Sequence, residues 1–197
     1  MKTFSKYVII RKLLHIGTAF FPIIYIFIPR VPMLIGLFAL AFSFLVLDFL
    51  RLKIKPVGDL FYHYCGKGLW DKEKYTLTAA THYAVAAFLS VYLFDKWIAI
   101  AALLFLSFGD TAAHLIGVKY GKTRIGSEIS DKTIEGSLAC VVICLSISVL
   151  LPHPRLLVLF VGSIVASLVE FFPFGIDDNF TLPLITGAAM EIMVKLL

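Results

Sequence analysis

The sequence VPMLIGLFALAFSFLVLDFL, residues 31–50, contains a single charged side chain, Asp48. A helix crosses the hydrocarbon core of a bilayer with about 20 predominantly apolar residues. The stretch therefore predicts a transmembrane helix. Its apolar residues form a continuous run and not the alternating pattern of a membrane barrel, which excludes that architecture.

Six more apolar stretches flank this one along the 197-residue chain. The composition, with 60% hydrophobic residues, 16% charged residues and a mean hydropathy of +0.93, lies outside the usual range of soluble domains. We predict one all-α membrane domain over residues 1–197, a polytopic helical bundle with about seven transmembrane helices. Pro22 is expected to kink the first helix, because proline removes a helical hydrogen bond. The predicted spans are residues 7–28, 31–50, 76–94, 97–116, 136–151, 155–172 and 182–197.

Lysine and arginine residues are concentrated on one side of these spans. Fourteen of the eighteen lie in residues 1–12, 51–75 and 117–135. Cytoplasmic segments of membrane proteins carry the excess of basic residues, so we predict that the N-terminus, these loops and the 173–181 loop are cytoplasmic. The helices that begin on this side present partly positive N-terminal ends, which favour bound phosphate.

Ionisable side chains are dense between residues 109 and 136. Such groups are costly at a membrane edge, so their concentration predicts a functional site. Asp110 is predicted either to bind a metal ion or to act as a general base. His114, one helical turn later, either supports Asp110 or packs in the core. The cations expected to bind phosphate are Arg11, Lys119, Lys122, Arg124 and Lys132.

Residues 117–123, GVKYGKT, resemble a phosphate-binding P-loop only superficially. Three residues separate the two glycines where the P-loop has four, and an apolar helix precedes them where a strand is required. The segment is therefore not a Walker motif. Gly121 still lets the backbone approach a ligand closely, so we predict that it contributes to phosphate binding.

Two polar groups near predicted helix ends have both a functional and a structural interpretation. Arg11 and His15 are four residues apart, so they share a helix face and can address one ligand. Alternatively, Arg11 extends to lipid headgroups and His15 packs in the core. For Asp48 the functional interpretation is a bound cation, and the structural one, which we expect, is that Arg51 neutralises the carboxylate.

The segment after the sixth predicted span contains Asp177, Asp178 and Asn179, and Glu170 precedes it. Carboxylate and amide oxygens are the ligands that Mg²⁺ takes. We therefore predict Asp177 and Asp178 as metal ligands together with Asp110, Asn179 as an orienting group and Glu170 as a supporting residue. The alternative is a turn whose Asp and Asn residues cap the seventh helix.

Four motifs follow one another along the chain: Arg11-Lys-x-x-His15, Gly109-Asp110-x-x-Ala113-x-x-x-Gly117-x-x-Tyr120-Gly121, Asp131-Lys132-Thr133-x-Glu135-Gly136 and Asp177-Asp178-Asn179-x-x-x-Pro183. Together they resemble the polytopic CTP-dependent lipid kinases, a group that contains dolichol kinase, phytol kinase and the yeast-type diacylglycerol kinase. The resemblance extends from the first predicted span to the seventh.

The resemblance implies transfer of the terminal phosphate of CTP to the hydroxyl of a membrane lipid alcohol, with Mg²⁺ or another divalent cation, at the cytoplasmic face. It implies catalytic roles for Asp110, Lys132, Asp177 and Asn179, and a nucleotide-binding role for Gly136. Glu135 matches the dolichol kinase form of the third motif, whereas phytol and diacylglycerol kinases tend to have alanine there. Polyprenol, dolichol, phytol and diacylglycerol are all candidate acceptors.

Two other classes of membrane protein are alternatives. A phosphatidate cytidylyltransferase has a similar Gly-Asp and Lys-x-x-Glu-Gly region, but its His-Gly-Gly signature does not follow Gly136 here. A transporter would distribute polar residues along a path across the membrane and show an internal repeat, whereas these polar residues gather at one face. No nucleic-acid partner is expected.

Overall fold

The structure, a computed structural model, describes residues 6–66, 71–123, 132–152, 155–172 and 175–197. Every regular element in this part of the chain is helical, which confirms the all-α prediction. A 3₁₀ turn, Asp71–Lys74, follows the fourth helix, and a π-helical segment, Phe105–Asp110, joins the sixth helix to the seventh. The α-helices are α1 (Lys6–Gly17), α2 (Phe20–Phe27), α3 (Arg30–Lys53), α4 (Lys55–Cys65), α5 (Ala79–Leu93), α6 (Lys96–Leu104), α7 (Thr111–Tyr120), α8 (Ile134–Leu150), α9 (Leu156–Phe171) and α10 (Asp178–Leu196).

The first predicted span is interrupted between α1 and α2, and Pro22 lies in the first turn of α2. Because proline has no N–H, the carbonyl four residues earlier, that of Thr18, loses its usual helical partner. The Phe21 N–H and the Tyr83 hydroxyl donate to this carbonyl instead, over 3.2 Å and 2.8 Å. The helix is therefore interrupted one turn before the proline at which a kink was predicted.

Three helical stretches are long and apolar enough to cross a membrane: Val8–Phe27, Arg30–Lys53 and Lys96–Tyr120. The apolar helices α5, α8 and α9 are shorter, at 15, 17 and 16 residues. Short apolar helices fit a bilayer by local thinning or by shelter inside a bundle. The last helix begins at Asp178, four residues before the predicted span at 182.

The segment after α3 contains a helix, α4, that the sequence analysis did not assign. Pro56 lies in its first turn, where a missing N–H has little cost. Gly58 brings α4 close to the end of α3, because a Cβ at this position would lie 2.7 Å from the carbonyl oxygen of Arg51. The predicted loop is therefore partly helical.

The centre of the bundle is formed by α6 and the π-helical segment. Within Lys96–Tyr120, 72% of the most apolar window is buried, against 17% for Val8–Phe27 and 22% for Arg30–Lys53. Small residues such as Ala99 and Ala102 let neighbouring helices approach α6 closely. The buried centre thus carries Asp110, which is the last residue of the π-helical segment.

Candidate active site

Asp110 lies where the π-helical segment meets α7, and its carboxylate contacts α1. Lys12 Nζ is 2.8 Å from Asp110 Oδ2, and His15 Nε2 is 3.2 Å from the same oxygen. His15 Nε2 also lies 3.1 Å from the carbonyl oxygen of Leu106. His114 interacts electrostatically with Asp110. We refer to Lys12, His15 and Asp110 as the Asp110 group.

The spacing of Arg11 and His15 suggested that both address one ligand, and in the structure Arg11 contacts Glu73. Its Nη1 lies 3.3 Å from Glu73 Oε2, while the neighbouring Lys12 is the basic residue that reaches Asp110. Lys12 is three residues before His15, so the two side chains share a helix face. This spacing could have indicated from the sequence that Lys12 belongs to the site. No spacing in the sequence indicated that Glu73 contacts Arg11, because 62 residues separate them.

Lys132 joins the start of α8 to the end of α9 and the start of α10. Its ammonium group donates to Asp178 Oδ2 over 2.9 Å and to the main-chain carbonyl of Glu170. The carboxylate of Glu170 accepts a hydrogen bond from Ser137 Oγ over 3.1 Å. We refer to Lys132, Glu170 and Asp178 as the Lys132 group.

The Asp110 group and the Lys132 group are close enough to interact electrostatically. The Asp110 carboxylate acts on both Glu170 and Asp178, and Asp177 acts on His15. Asp178 precedes the predicted seventh span; burial raises its pKa, and the Lys132 ammonium opposes this shift. Three carboxylates and two lysines, from four separate parts of the sequence, thus occupy one region.

The glycines of the second and third motifs bring α7 into contact with α8. A Cβ on Gly136 would lie 2.6 Å from the carbonyl oxygen of Ala113, and one on Gly121 would lie 2.5 Å from the Thr133 side chain. Thr133 caps α8, since its hydroxyl accepts the N–H of Gly136 over 3.1 Å. The spacing of these glycines therefore serves helix packing, and ligand binding by Gly121 and Gly136 stays a prediction.

Two of the predicted phosphate-binding cations lie at the surface. Lys119 and Lys122 are both exposed, at and just beyond the end of α7. Arg124 lies outside the described residues. The Thr123 N–H donates to the Glu135 carboxylate over 3.2 Å, which ties the end of α7 to the start of α8. The phosphate-binding roles of these cations and the supporting role of Glu135 stay predictions.

Asp177 caps α10, as the structural alternative from the sequence proposed. Its Oδ1 accepts the main-chain N–H of Asn179 over 3.1 Å and the side-chain amide of the same residue over 2.7 Å. This contact leaves the catalytic roles of Asp177 and Asn179 as predictions, because a capping residue can also contact a ligand.

The predicted metal ligands do not form a metal-binding cage within the described residues. No group of three His, Cys, Asp or Glu side chains there is arranged to hold a metal ion. Asp110 and Asp178 are each paired with a lysine. Mg²⁺ usually takes only one or two protein carboxylates together with substrate phosphates, so the metal-ligand roles of Asp110, Asp177 and Asp178 stay predictions.

A second carboxylate–cation cluster lies at the ends of α3 and α5. Arg51 Nε is 2.5 Å from Asp48 Oδ1, and the two side chains are 0% and 3% exposed. Asp48 Oδ2 accepts the main-chain N–H of Thr78 over 2.8 Å and the hydroxyl of Thr81 over 2.6 Å. The predicted neutralisation of Asp48 by Arg51 is confirmed, and the pair is part of the scaffold.

The chain is similar to proteins from bacteria and fungi along most of its length. It is 30% identical to the uncharacterized protein RP860 of Rickettsia prowazekii, with 88% of each chain covered. It is 28% identical to CTP-dependent diacylglycerol kinase 1 of Eremothecium gossypii, over 96% of this chain and 68% of that protein. For CTP-dependent diacylglycerol kinase 1 of Saccharomyces cerevisiae the identity is 26%, over 97% and 75%. No family model matches the chain. No solved structure matches it either.

Proposed function

Since this chain belongs to one family with RP860 and is a distant homologue of the CTP-dependent lipid kinases, we propose that it phosphorylates a membrane lipid alcohol with CTP. The proposed reaction transfers the terminal phosphate of CTP to the lipid hydroxyl. We further propose that the active site faces the cytoplasm, as the distribution of basic residues predicts.

The observation that carries this proposal is the proximity of the Asp110 group and the Lys132 group. Phosphoryl transfer requires positioned substrates, cations around the phosphates and a group that accepts the hydroxyl proton. Lys12 and Lys132 supply cations, and Asp110 is a carboxylate at a helix junction that is still 18% exposed. These are the elements that the reaction needs, at one end of a membrane bundle.

In the proposed reaction, the oxygen of the lipid hydroxyl forms a bond to the terminal phosphorus of CTP. The bond from that phosphorus to the bridging oxygen breaks, and CDP leaves. Asp110 accepts the hydroxyl proton, a role worth about 10²–10⁴-fold in rate. Because Lys12 pairs with Asp110 in this structure, we infer that a bound phosphate attracts Lys12 and releases the carboxylate for this step.

The phosphates would be held by Lys12 and Lys132, with Arg11, Lys119, Lys122 and Arg124 as further cations. A divalent cation such as Mg²⁺ would neutralise phosphate charge when bound, and Asp178 is the carboxylate we propose to hold it, because Asp110 is assigned to the hydroxyl proton. Asp177 would contribute mainly by capping α10, which fixes Asp178 opposite Lys132.

Diacylglycerol is the first acceptor to test, since three relatives are named as CTP-dependent diacylglycerol kinases. Polyprenol and dolichol come next, because Glu135 matches the dolichol kinase form of the motif. Phytol completes the panel. These alcohols share a hydroxyl at the membrane surface and differ in the apolar part.

The test is to incubate purified protein in lipid nanodiscs with CTP labelled at the γ-phosphate and each lipid alcohol. Label in the lipid, with CDP as the other product, is the expected result. Label only in pyrophosphate would mean cytidylyl transfer and would overturn the kinase proposal. ATP and GTP in place of CTP serve as nucleotide controls.

A further inference from the structure

We propose that Glu73 is a positioning residue that fixes the Arg11 guanidinium at the nucleotide phosphates. The inference rests on the proposed function, in which Arg11 binds phosphate of CTP. Glu73 itself is not proposed to touch the nucleotide. Its role would be to connect α1, which carries the cations, to the rigid segment before α5.

The two carboxylate oxygens of Glu73 have separate tasks. Oε1 accepts the main-chain N–H of Ala79 over 2.7 Å, at the first turn of α5. Oε2 lies 3.3 Å from Arg11 Nη1. The Glu73 side chain is only 3% exposed, whereas that of Arg11 is 24% exposed. One oxygen thus anchors Glu73 to a helix, and the other contacts Arg11.

The main chain around Glu73 is also held in place. Arg51 donates to the carbonyl of Glu73 over 2.9 Å and to that of Thr76 over 2.6 Å. Arg51 is itself fixed by Asp48, which accepts hydrogen bonds from Thr78 at the start of α5. The segment from Glu73 to Thr78 is therefore tied to α3 at several points.

Helix α1 has no comparable packing. None of its described side chains from Val8 onward is buried, and Leu13 and Leu14 are 62% and 68% exposed. Polar contacts to the bundle include those of Arg11, Lys12 and His15. In the Arg11–Glu73 contact, Glu73 is the residue held in place by hydrogen bonds to α3 and α5. We therefore infer that Glu73 determines where Arg11 lies, and not the reverse.

The division between the two oxygens allows a sharp test with Glu73→Gln. The glutamine carbonyl oxygen can still accept the Ala79 N–H, but its amide nitrogen cannot accept from Arg11. We expect the variant to keep the melting temperature of the parent protein and to bind CTP about tenfold more weakly, which corresponds to about 1.4 kcal/mol. Equilibrium binding of CTP is measured without a lipid acceptor, so acceptor identity does not affect it.

A double-mutant cycle separates positioning from a general structural effect. In the Arg11→Ala background, which itself binds CTP more weakly, Glu73→Gln should produce no further loss, because the pair is already absent. Glu191→Gln is the matched control: Glu191 also accepts a main-chain N–H, that of Asp95, and lies about 20 Å along α10 from Asp178. It should bind CTP like the parent protein.

Three results would overturn the inference. Parent-like CTP binding by Glu73→Gln, with weaker binding by Arg11→Ala, would remove the role of Glu73 and leave the proposed function intact. Additive losses in the double variant would show that Glu73 acts independently of Arg11. Failure of the parent protein to bind CTP at all would overturn both the inference and the proposed function.

Discussion

The Asp48–Arg51 pair and the Lys12–Asp110 pair join the same kinds of charge in different surroundings. Arg51 and Asp48 are 0% and 3% exposed, and threonine donors and main-chain carbonyls complete their hydrogen bonds. Lys12 and Asp110 are each 18% exposed, and Asp110 also faces the charges of the Lys132 group. A ligand can reach the second pair but not the first.

This difference separates a structural ion pair from a reactive one. A buried pair with complete hydrogen bonding has no alternative partner, so breaking it leaves an uncompensated charge in the interior. A partly exposed pair beside other charges can exchange partners when a phosphate arrives. Asp48–Arg51 should therefore govern stability, and Lys12–Asp110 should govern activity.

The largest expected effect is that of Arg51→Met on stability. The substitution leaves Asp48 buried without its cation and removes the donors to the segment before α5. We expect the free energy of unfolding to fall by about 3–5 kcal/mol. The measurement is denaturant-induced unfolding in mixed micelles, followed by circular dichroism.

Lys53→Met is the matched control, because Lys53 lies in the same last turn of α3 and is exposed. It should unfold like the parent protein. Equal stabilities for the two variants would show that the Asp48–Arg51 pair is not the structural pair.

The second effect concerns activity and is produced by Asp110→Asn. The amide keeps the size of the side chain but cannot accept the proton of the lipid hydroxyl. We expect lipid phosphorylation to fall by about 10²–10³-fold, while the midpoint of unfolding changes little, because the amide oxygen can still accept a hydrogen bond from Lys12. The measurement is incorporation of γ-phosphate label into lipid, with the midpoint taken from the same preparation.

Asp59→Asn, on the exposed surface of α4, is the matched control and should retain parent activity. Unchanged activity in Asp110→Asn would remove Asp110 from the chemistry. Loss of folding in the same variant would instead show that Lys12–Asp110 is a structural pair. It would then not differ in role from Asp48–Arg51.

Much of the fold could be predicted from hydrophobic runs alone. The continuous apolar stretch of residues 31–50 predicted a helix, and α3 contains it. Pro22 predicted a kink in the first span, because a missing N–H has a local effect, and the structure has an interruption between α1 and α2. The π-helical segment and α4 were not predicted, since each depends on packing partners distant in sequence, such as Cys144 against Gly109.

The candidate site could be predicted in part. Clustered charges in an apolar chain identified Asp110, Lys132 and Asp178, and the structure brings these residues into one region. Whether Arg11 or Lys12 contacts Asp110 depends on how α1 is rotated about its axis. Tertiary contacts determine that rotation, so the sequence did not predict it. The same limit applies to Glu73, whose partners come from α1 and α3.

The third effect tests whether the distance between the two groups is set by helix packing. In Gly136→Ala the new methyl group meets the carbonyl of Ala113, a main-chain atom that cannot move aside cheaply. We expect a loss of about 1–3 kcal/mol in stability and a lower rate of lipid phosphorylation, because the contact between α7 and α8 helps to set the distance between Asp110, which precedes α7, and Lys132, which precedes α8.

Gly36→Ala is the control for a glycine in open space, since nothing lies within 4 Å of the added Cβ. Alanine favours a helix over glycine by up to about 1 kcal/mol, so this variant should be as stable as the parent protein or slightly more so. Equal behaviour of the two alanine variants would contradict the packing role of Gly136.

The smallest expected effect distinguishes a helix cap from a metal ligand at Asp177. Asparagine caps helices as well as aspartate does, whereas alanine removes the cap at a cost of about 1 kcal/mol. We expect Asp177→Ala to lose that stability and Asp177→Asn to keep it, with lipid phosphorylation in the asparagine variant within about tenfold of the parent rate. The readouts are unfolding in micelles and a Mg²⁺ titration of activity.

Asparagine keeps the acceptor oxygen that bonds to Asn179 but has no negative charge, so the two roles of Asp177 respond to it differently. A stable Asp177→Asn protein that needed much more Mg²⁺, or that was inactive, would show that the charge of Asp177 takes part in the chemistry. In that case Asp177 would take part in the reaction as well as capping α10. The contrast between the two kinds of carboxylate would then depend on access to the ligand and not on the number of hydrogen bonds already formed.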